Sequence, residues 1–541
     1  MVKICEGTTQ NIADESDGMD QGFINVKEIE KTAKATRDEL TRIGVAVLFM
    51  VGIMIYAATV MGDGPGGVML VAAATIGGYM AMNIGANDVA NNVGPAVGSQ
   101  AITLFGAIII AIIFESAGAL IAGGDVVGTI KKGIISPDLI QSTDEFVWLM
   151  IAALLAAALW LNFATFVGAP VSTTHSIVGG VLGAGIAAGG MGIADWEQVG
   201  KIVASWVISP VFGGVIAAAF LLTIKRTINY QRDIIGSAKR FVPILIAIMA
   251  WSFGTYLALK GLKNLWRVSF LEAVALGFAV AVLVYAIARW RIGKVSDKLP
   301  NDKSSVNNLF TIPLIFAAAM LSFAHGANDV ANAVGPLAGI ADALTTGEIS
   351  SKASIPIWVM LIGAIGISLG LALFGPRLIR TVGTEITELD KTRAFCIAVA
   401  AAITVIIASQ LGLPVSSTHI AVGGVFGVGF LREYLKRNYA VMVADIREHH
   451  VDDHPEEVEA FLKQFEAASI SERTIMLRVM KQGKSGLIYK SERRDLKKIH
   501  RVELVKRSML LKIAGAWVIT VPASGLLSAM FFFMLRGMLL P

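Results

Sequence analysis

Gly85-Ala-Asn-Asp-Val-Ala-Asn91 recurs as Gly326-Ala-Asn-Asp-Val-Ala-Asn332, 241 residues later. Each copy places an aspartate and two asparagines inside an apolar stretch. A second string, Pro170-Val-Ser-Thr-Thr-His175, recurs as Pro414-Val-Ser-Ser-Thr-His419 at an offset of 244 residues. Ionisable and amide side chains at membrane depth are costly, and they mark ion or substrate paths. A duplicated polar motif in duplicated halves is the pattern of a membrane protein that binds its solute at the interface between repeats.

The surrounding chain has the composition such a site requires. Of 541 residues, 55% are hydrophobic and 16% are charged, and the mean hydropathy is +0.67. A spanning helix needs about 20 mostly apolar residues. Runs of that kind lie at Ile43–Met61, Ile102–Ala122, Val147–Val167, Ile202–Ile224, Phe241–Leu259, Phe270–Ala288, Ile357–Leu373, Ala394–Leu411 and Ile513–Leu535, with shorter, Gly-interrupted pieces between them. The expected fold is an all-α polytopic membrane protein. A β-barrel would show alternating segments of about 10 residues instead.

Residues 1–42 are polar and carry no signal-peptide pattern. Lys225, Arg226, Arg232, Lys239 and Arg240 form one basic cluster, and Arg289, Arg291, Lys294, Lys298 and Lys303 another. Both fit the cytoplasmic side, because Lys and Arg collect there. Two cysteines, Cys5 in the polar tail and Cys396 in an apolar run, make neither a disulfide framework nor a metal site.

A weaker repeat sets the domain plan. Trp206-Val-Ile-Ser-Pro210 is echoed by Trp517-Val-Ile-Thr-Val-Pro522, but the offset has grown to 311 residues. The excess falls in the charged stretch 432–507. The chain therefore divides into a tail (1–42), a first transmembrane repeat (43–224), a linker with two spans (225–308) and a second repeat (309–541). The last is interrupted by a mostly helical cytoplasmic insertion at 432–507. Within it, acids outnumber Lys and Arg nine to two over 445–472, and the balance reverses to three against twelve over 473–507. His449, His450 and His454 beside Asp452 and Asp453 are read as scattered residues of an acid-rich loop rather than a metal site.

The motifs carry chemistry. Gly168-Ala169-Pro170 breaks one helix, and Ser172, Thr173 and Thr174 open the next, with proline expected in its first turn and a hydroxyl as its cap. Such a terminus offers free N–H groups and a positive dipole end, which suit an anion. Pro414 with Ser416, Ser417 and Thr418 repeats the device. In the other motif pair, residues i and i+3 share a helix face. Asp88 with Asn91, and Asp329 with Asn332, can therefore point together. Gly85, Gly94 and Pro95, with Gly326, Gly335 and Pro336, are places where the helix is expected to unwind. Carboxylate, amide and carbonyl oxygens are hard ligands for a hard cation such as sodium, here Asn87, Asp88, Asn328 and Asp329. Hydrogen phosphate has an O–H that an aspartate can accept, whereas sulfate has none, so the donor and acceptor mix favours phosphate. Glu115 reads as a coupling carboxylate or a packing acid. His175 and His419 read as orienters of their loops, and His325, matched by Ile84, is set aside.

At these residues the chain resembles the PiT family of inorganic phosphate transporters, from about residue 43 to the end. The resemblance implies inverted-topology halves, re-entrant hairpins, and symport of phosphate with sodium or protons across an inner (cell) membrane. It implies a phosphate site of Asp88, Asn91, Ser172, Thr173, Thr174, Asp329, Asn332, Ser416, Ser417 and Thr418. Cation ligands would be Asn87, Asp88, Asn328, Asp329 and Glu115. A family glutamate in the second half is missing, and its position is read at Ala398. Besides sodium as coupling ion, no cofactor is expected, nor any enzymatic activity or nucleic-acid partner; a homodimer is left open. Alternatives are a proton-coupled phosphate, metal-phosphate or sulfate permease, and, from other classes, an anion channel or an intramembrane hydrolase.

Overall fold

Sequences this apolar satisfy their backbone groups in lipid by folding into helices. The computed structural model describes residues 39–59, 66–140, 142–167, 171–261, 268–349, 355–385, 389–449, 455–467 and 507–539, with 37 and 476 besides, and they are overwhelmingly helical. The first group is α1 (Glu39–Thr59), α2 (Gly67–Asn87), α3 (Val89–Gly98), α4 (Leu104–Ala122) and α5 (Gly124–Lys132). Then come α6 (Thr143–Phe166), α7 (Thr173–Gly189), α8 (Trp196–Ile224), α9 (Ile234–Gly261), α10 (Phe270–Ser296) and α11 (Lys303–Leu309). The last are α12 (Thr311–Thr346), α13 (Ile357–Glu385), α14 (Lys391–Gln410), α15 (Ser417–His449), α16 (Pro455–Ala467) and α17 (Arg507–Leu539).

Among the described residues, eleven helices are long and apolar enough to cross a membrane. Nine match the runs found by hydropathy. The other two, Gly67–Gly98 and Thr311–Thr346, carry the Asn-Asp motifs. Their polar residues dilute the apolar signal, but the protein itself surrounds them. In α12, 89% of the most apolar window is buried, so lipid has almost no contact with it.

The expected unwinding is not observed. α2 and α3 are interrupted only at Asp88, which keeps a right-handed helical conformation at φ −87° and ψ −34°, and α12 runs unbroken through Asn328, Asp329 and Pro336. The motif glycines serve packing instead. A β-carbon on Gly85 would lie 1.9 Å from the Ile367 carbonyl oxygen, and one on Gly326 would lie 2.2 Å from that of Glu115. Both contacts are answered by a glycine on the partner helix, since β-carbons on Gly370 and Gly118 would lie 1.9 Å from Met82 O and 2.0 Å from Phe323 O. Small residues let membrane helices approach this closely. Gly85→Ala and Gly326→Ala are each expected to abolish recovery of folded protein, read as loss of the monodisperse peak in detergent. Gly52→Ala on α1, with nothing within 4 Å of its added carbon, should leave the peak unchanged.

These contacts pair α2 with α13 and α4 with α12, and they match Glu115 with Ile367 and Ser116 with Ser368. The two serines meet, with hydroxyls 2.8 Å apart. The position matched to Glu115 is therefore Ile367 on α13. Ala398 lies on α14, the first helix of the second hairpin, which corrects the assignment made from sequence.

The hairpins form as expected, with one change. α6 is followed by a break and α7, and α14 by a break and α15. Ser172 caps α7 by accepting the His175 N–H at 3.2 Å, and Ser416 does the same for His419 at 3.3 Å. Pro414 stands two residues before its cap rather than in the first turn, and its carbonyl accepts the Trp206 indole N–H at 3.1 Å. Residues 168–170 lie outside the described residues. The last helices pack crosswise. α8 lies on α15, where a β-carbon on Gly427 would come 2.0 Å from Gly214 O, and α17 lies on α7, where one on Gly183 would come 2.1 Å from Gly525 O. Trp206 and Trp517 lie inside α8 and α17.

Of the insertion, α15 extends to His449, and α16 buries Val458, Leu462 and Phe465. His450, Asp452, Asp453, His454, nearly all of the basic block and the first 36 residues lie outside the described residues.

Candidate functional site

The two aspartates of the repeated motif are buried against the two hairpin termini. Thr173 donates its hydroxyl to Asp88 Oδ2 at 2.6 Å. Thr418, from the other hairpin, donates to Asp88 Oδ1 at 3.2 Å. Each helix N-terminus thus lays one threonine against the same carboxylate. Ser417 donates to Asp329 Oδ2 at 3.2 Å.

The asparagines cross over. Asn91 reaches Thr418 Oγ1 at 2.9 Å, and Asn332 reaches Thr173 and Thr174 Oγ1, both at 3.2 Å. Asn87 donates to Thr165 at 2.8 Å, and Asn328 donates to Ser409 at 3.0 Å and Leu413 O at 3.2 Å. The asparagines and aspartates of one motif pair and the threonines and serine of the other are therefore at one place, joined across sequence separations of up to 330 residues.

Their roles are not uniform. Ser172 and Ser416 spend their hydroxyl oxygens as helix caps, and Thr174 donates to Val415 O at 3.0 Å. The Asn328 oxygen accepts the Val415 N–H at 3.3 Å. Four acceptor oxygens here remain buried without a hydrogen-bond partner among the described residues: Asn87 Oδ1, Asn92 Oδ1, Asp329 Oδ1 and Asn332 Oδ1. Buried polar atoms are nearly always satisfied, and an acceptor-only oxygen can be satisfied by a donor or by a cation. Asp88, Asp329 and His325 also offer ligand atoms all within 4.8 Å of one another.

His325 is the residue that sequence reasoning discarded. Its Nδ1 lies 2.6 Å from Glu115 Oε2 and its Nε2 lies 2.9 Å from Asp329 Oδ2, with all three side chains almost wholly buried. Asn92 donates to the other Glu115 oxygen at 2.8 Å. Glu115 thus stands one residue removed from the aspartate pair, which its reading as a direct cation ligand did not anticipate. At the matched positions of the other half stand Ile84, Ile367 and Ala333, so this polar trio exists on one side only. The available signal was the acid at Glu115. A buried carboxylate demands a partner, and His325 lies one helical turn before Asp329.

His175 and His419 meet each other, with ring centroids 4.4 Å apart and nearly perpendicular. His175 lies against Trp206 at 3.8 Å, and His419 is stacked on Trp517 at 3.5 Å. They brace the two hairpins on each other, and none of their bonds reaches the aspartates.

The chain matches the phosphate transporter family over residues 84–528. It is 51% identical over 519 residues, 94% of this chain and 97% of the other, to a Helicobacter pylori protein described as "Putative phosphate permease". A Pyrococcus abyssi protein of like description is 41% identical over 359 residues, covering 66% of this chain and 87% of its own. A solved structure described as "The sodium-dependent phosphate transporter" superposes with a TM-score of 0.71 at 32% identity, covering 87% of this chain and all of that one. This multi-pass membrane chain belongs to the phosphate transporter family.

Proposed function

We propose that the chain is a secondary symporter that imports inorganic phosphate with sodium across the cell (inner) membrane. Phosphate and cation bind together where the two hairpins meet, between inverted halves spanning 43–224 and 309–541. The observation that carries this reading is the crossed network at Asp88, whose carboxylate accepts one hydroxyl from each hairpin. A rearrangement of either hairpin changes the ligands of that carboxylate, which alternating access requires.

The chemistry divides between the two guests. The first N–H groups of α7 and α15 have no intrahelical acceptor and suit the phosphate oxygens, with Thr173, Thr174, Ser417 and Thr418 beside them. The unpartnered oxygens of Asn87 and Asp329, with Asp88, suit sodium. Each ion lowers the electrostatic cost of the other in a low-dielectric site. The second reading is proton coupling, favoured by His325, whose two ring nitrogens each face a buried carboxylate along a route a proton could take.

Radiolabelled phosphate uptake into proteoliposomes decides between them. Accumulation driven by an inward sodium gradient, and blocked by unlabelled phosphate but not sulfate, is the expected result. Accumulation driven by a pH gradient alone would replace sodium by protons. Accumulation of sulfate, with no phosphate accumulation under either gradient, would overturn the substrate.

A further inference from the structure

A groove of about 660 Å³ runs between α8, α15 and α17, away from the aspartates. Its walls include Val215 and Ala218 from α8, Phe426, Phe430 and Tyr434 from α15, and Trp517 from α17, and the Tyr434 hydroxyl and Trp517 indole N–H are the polar groups its side chains bring. Val215, Phe430 and Tyr434 are 61%, 46% and 62% exposed, so the groove opens to the surface of the membrane domain.

Its two ends differ. One reaches Trp517, which stacks on His419 of the second hairpin. The other points toward positive charge. Val211, Val215, Ala218 and Leu222 recur at helical spacing on α8, and Lys225, the residue immediately after it, continues the spacing, which keeps them on one face. Lys225 stands two turns beyond Ala218, about 10 Å along the helix. Its ammonium is within electrostatic reach of Arg393, Arg432 and Lys303, with Asp390 the acid among them. Arg226 beside it is exposed. The exposed Tyr434 lies at the same end, as aromatic residues do at the headgroup level, and by the positive-inside rule this end faces the cytoplasm.

An apolar trough inside the bilayer that ends at interfacial cations matches one kind of molecule. We infer that this groove holds an anionic phospholipid of the cytoplasmic leaflet, with its acyl chains along Val215, Ala218, Phe426 and Phe430 and its headgroup phosphate at Lys225. A zwitterionic lipid would fill the trough equally well but would lack the net charge that the cations favour. A second copy of the chain would cover Val215 but would bring the same cations against themselves.

The test uses the full chain, purified in detergent and exchanged into nanodiscs of equal parts phosphatidylglycerol and phosphatidylcholine, then read by native mass spectrometry. Wild type should retain phosphatidylglycerol over phosphatidylcholine. Lys225→Gln should reduce that preference about fivefold, the loss of one cation near the surface. Val215→Trp and Ala218→Trp, which fill the trough from outside the transport site, should each lose the retained lipid of both kinds by tenfold or more. Equal retention of the two lipids by wild type would overturn the proposal, as would a bound phosphatidylglycerol that survives in both tryptophan variants. Disulfide-linked dimers of Val215→Cys would assign the groove to a second copy and overturn it as well.

Discussion

Asp88→Asn is expected to reduce sodium-driven phosphate uptake about 100-fold or more while the protein remains folded. Asp88 is buried, and its two oxygens accept hydroxyls from Thr173 at 2.6 Å and Thr418 at 3.2 Å. Hydrogen bonds to a charged group are worth about 1.5–3 kcal/mol each, and 1.4 kcal/mol is tenfold in binding. An asparagine keeps one acceptor and turns an amide toward the other hydroxyl, so roughly one such bond is lost along with the charge that a cation would meet. Those two losses together set the 100-fold figure. Uptake in proteoliposomes, beside an unchanged elution profile, is the measurement. Asp88→Asn and Asp329→Asn variants that both accumulated phosphate at the wild-type rate under a sodium gradient would refute the assignment.

His325→Ile should cost stability as well as transport. The imidazole lies between Glu115 and Asp329, and its removal strands Glu115 in an apolar layer with only Asn92 to bond it. Breaking a buried pair by deleting one partner costs about 3–5 kcal/mol, so a marked fall in the melting temperature in detergent is expected. The other half of the molecule supplies the control, because it fills the matched positions with Ile84, Ile367 and Ala333. The triple variant Asn92→Ala, Glu115→Ile, His325→Ile replaces the whole trio by that apolar set and should recover most of the lost stability. Continued transport by the triple variant would mean that the trio only glues helices together. Loss of transport in a stable triple variant would show that Asp329 needs His325 to hold its Oδ2 while Oδ1 faces the guest. A single variant as stable as wild type would contradict the buried-pair argument altogether.

Much of the site could be read before any coordinates. Thr173 and Thr418 read as anion ligands at the hairpin termini and Asp88 and Asp329 as cation ligands or acceptors of a phosphate proton, because a membrane interior leaves few other reasons for such residues. The errors fell where neighbours decide. Gly85 and Gly326 read from sequence as points of unwinding, and backbone oxygens from other helices make them points of close contact instead. Ala398 as the match for Glu115 implies an offset of 283 residues, whereas the repeated motifs are 241 and 244 apart and the packed helices put Ile367, 252 residues on, at that position.

By itself the sequence determined that this is a helical membrane protein with a duplicated polar site, because the cost of burying Asn, Asp, Ser and Thr in an apolar chain is a local property that composition and repetition expose. Only the tertiary structure decided which carboxylate each hydroxyl serves, that His325 joins Glu115 to Asp329, and that the halves differ there. Those pairings depend on which helices lie side by side, and that choice is made by glycine-to-backbone contacts between segments hundreds of residues apart.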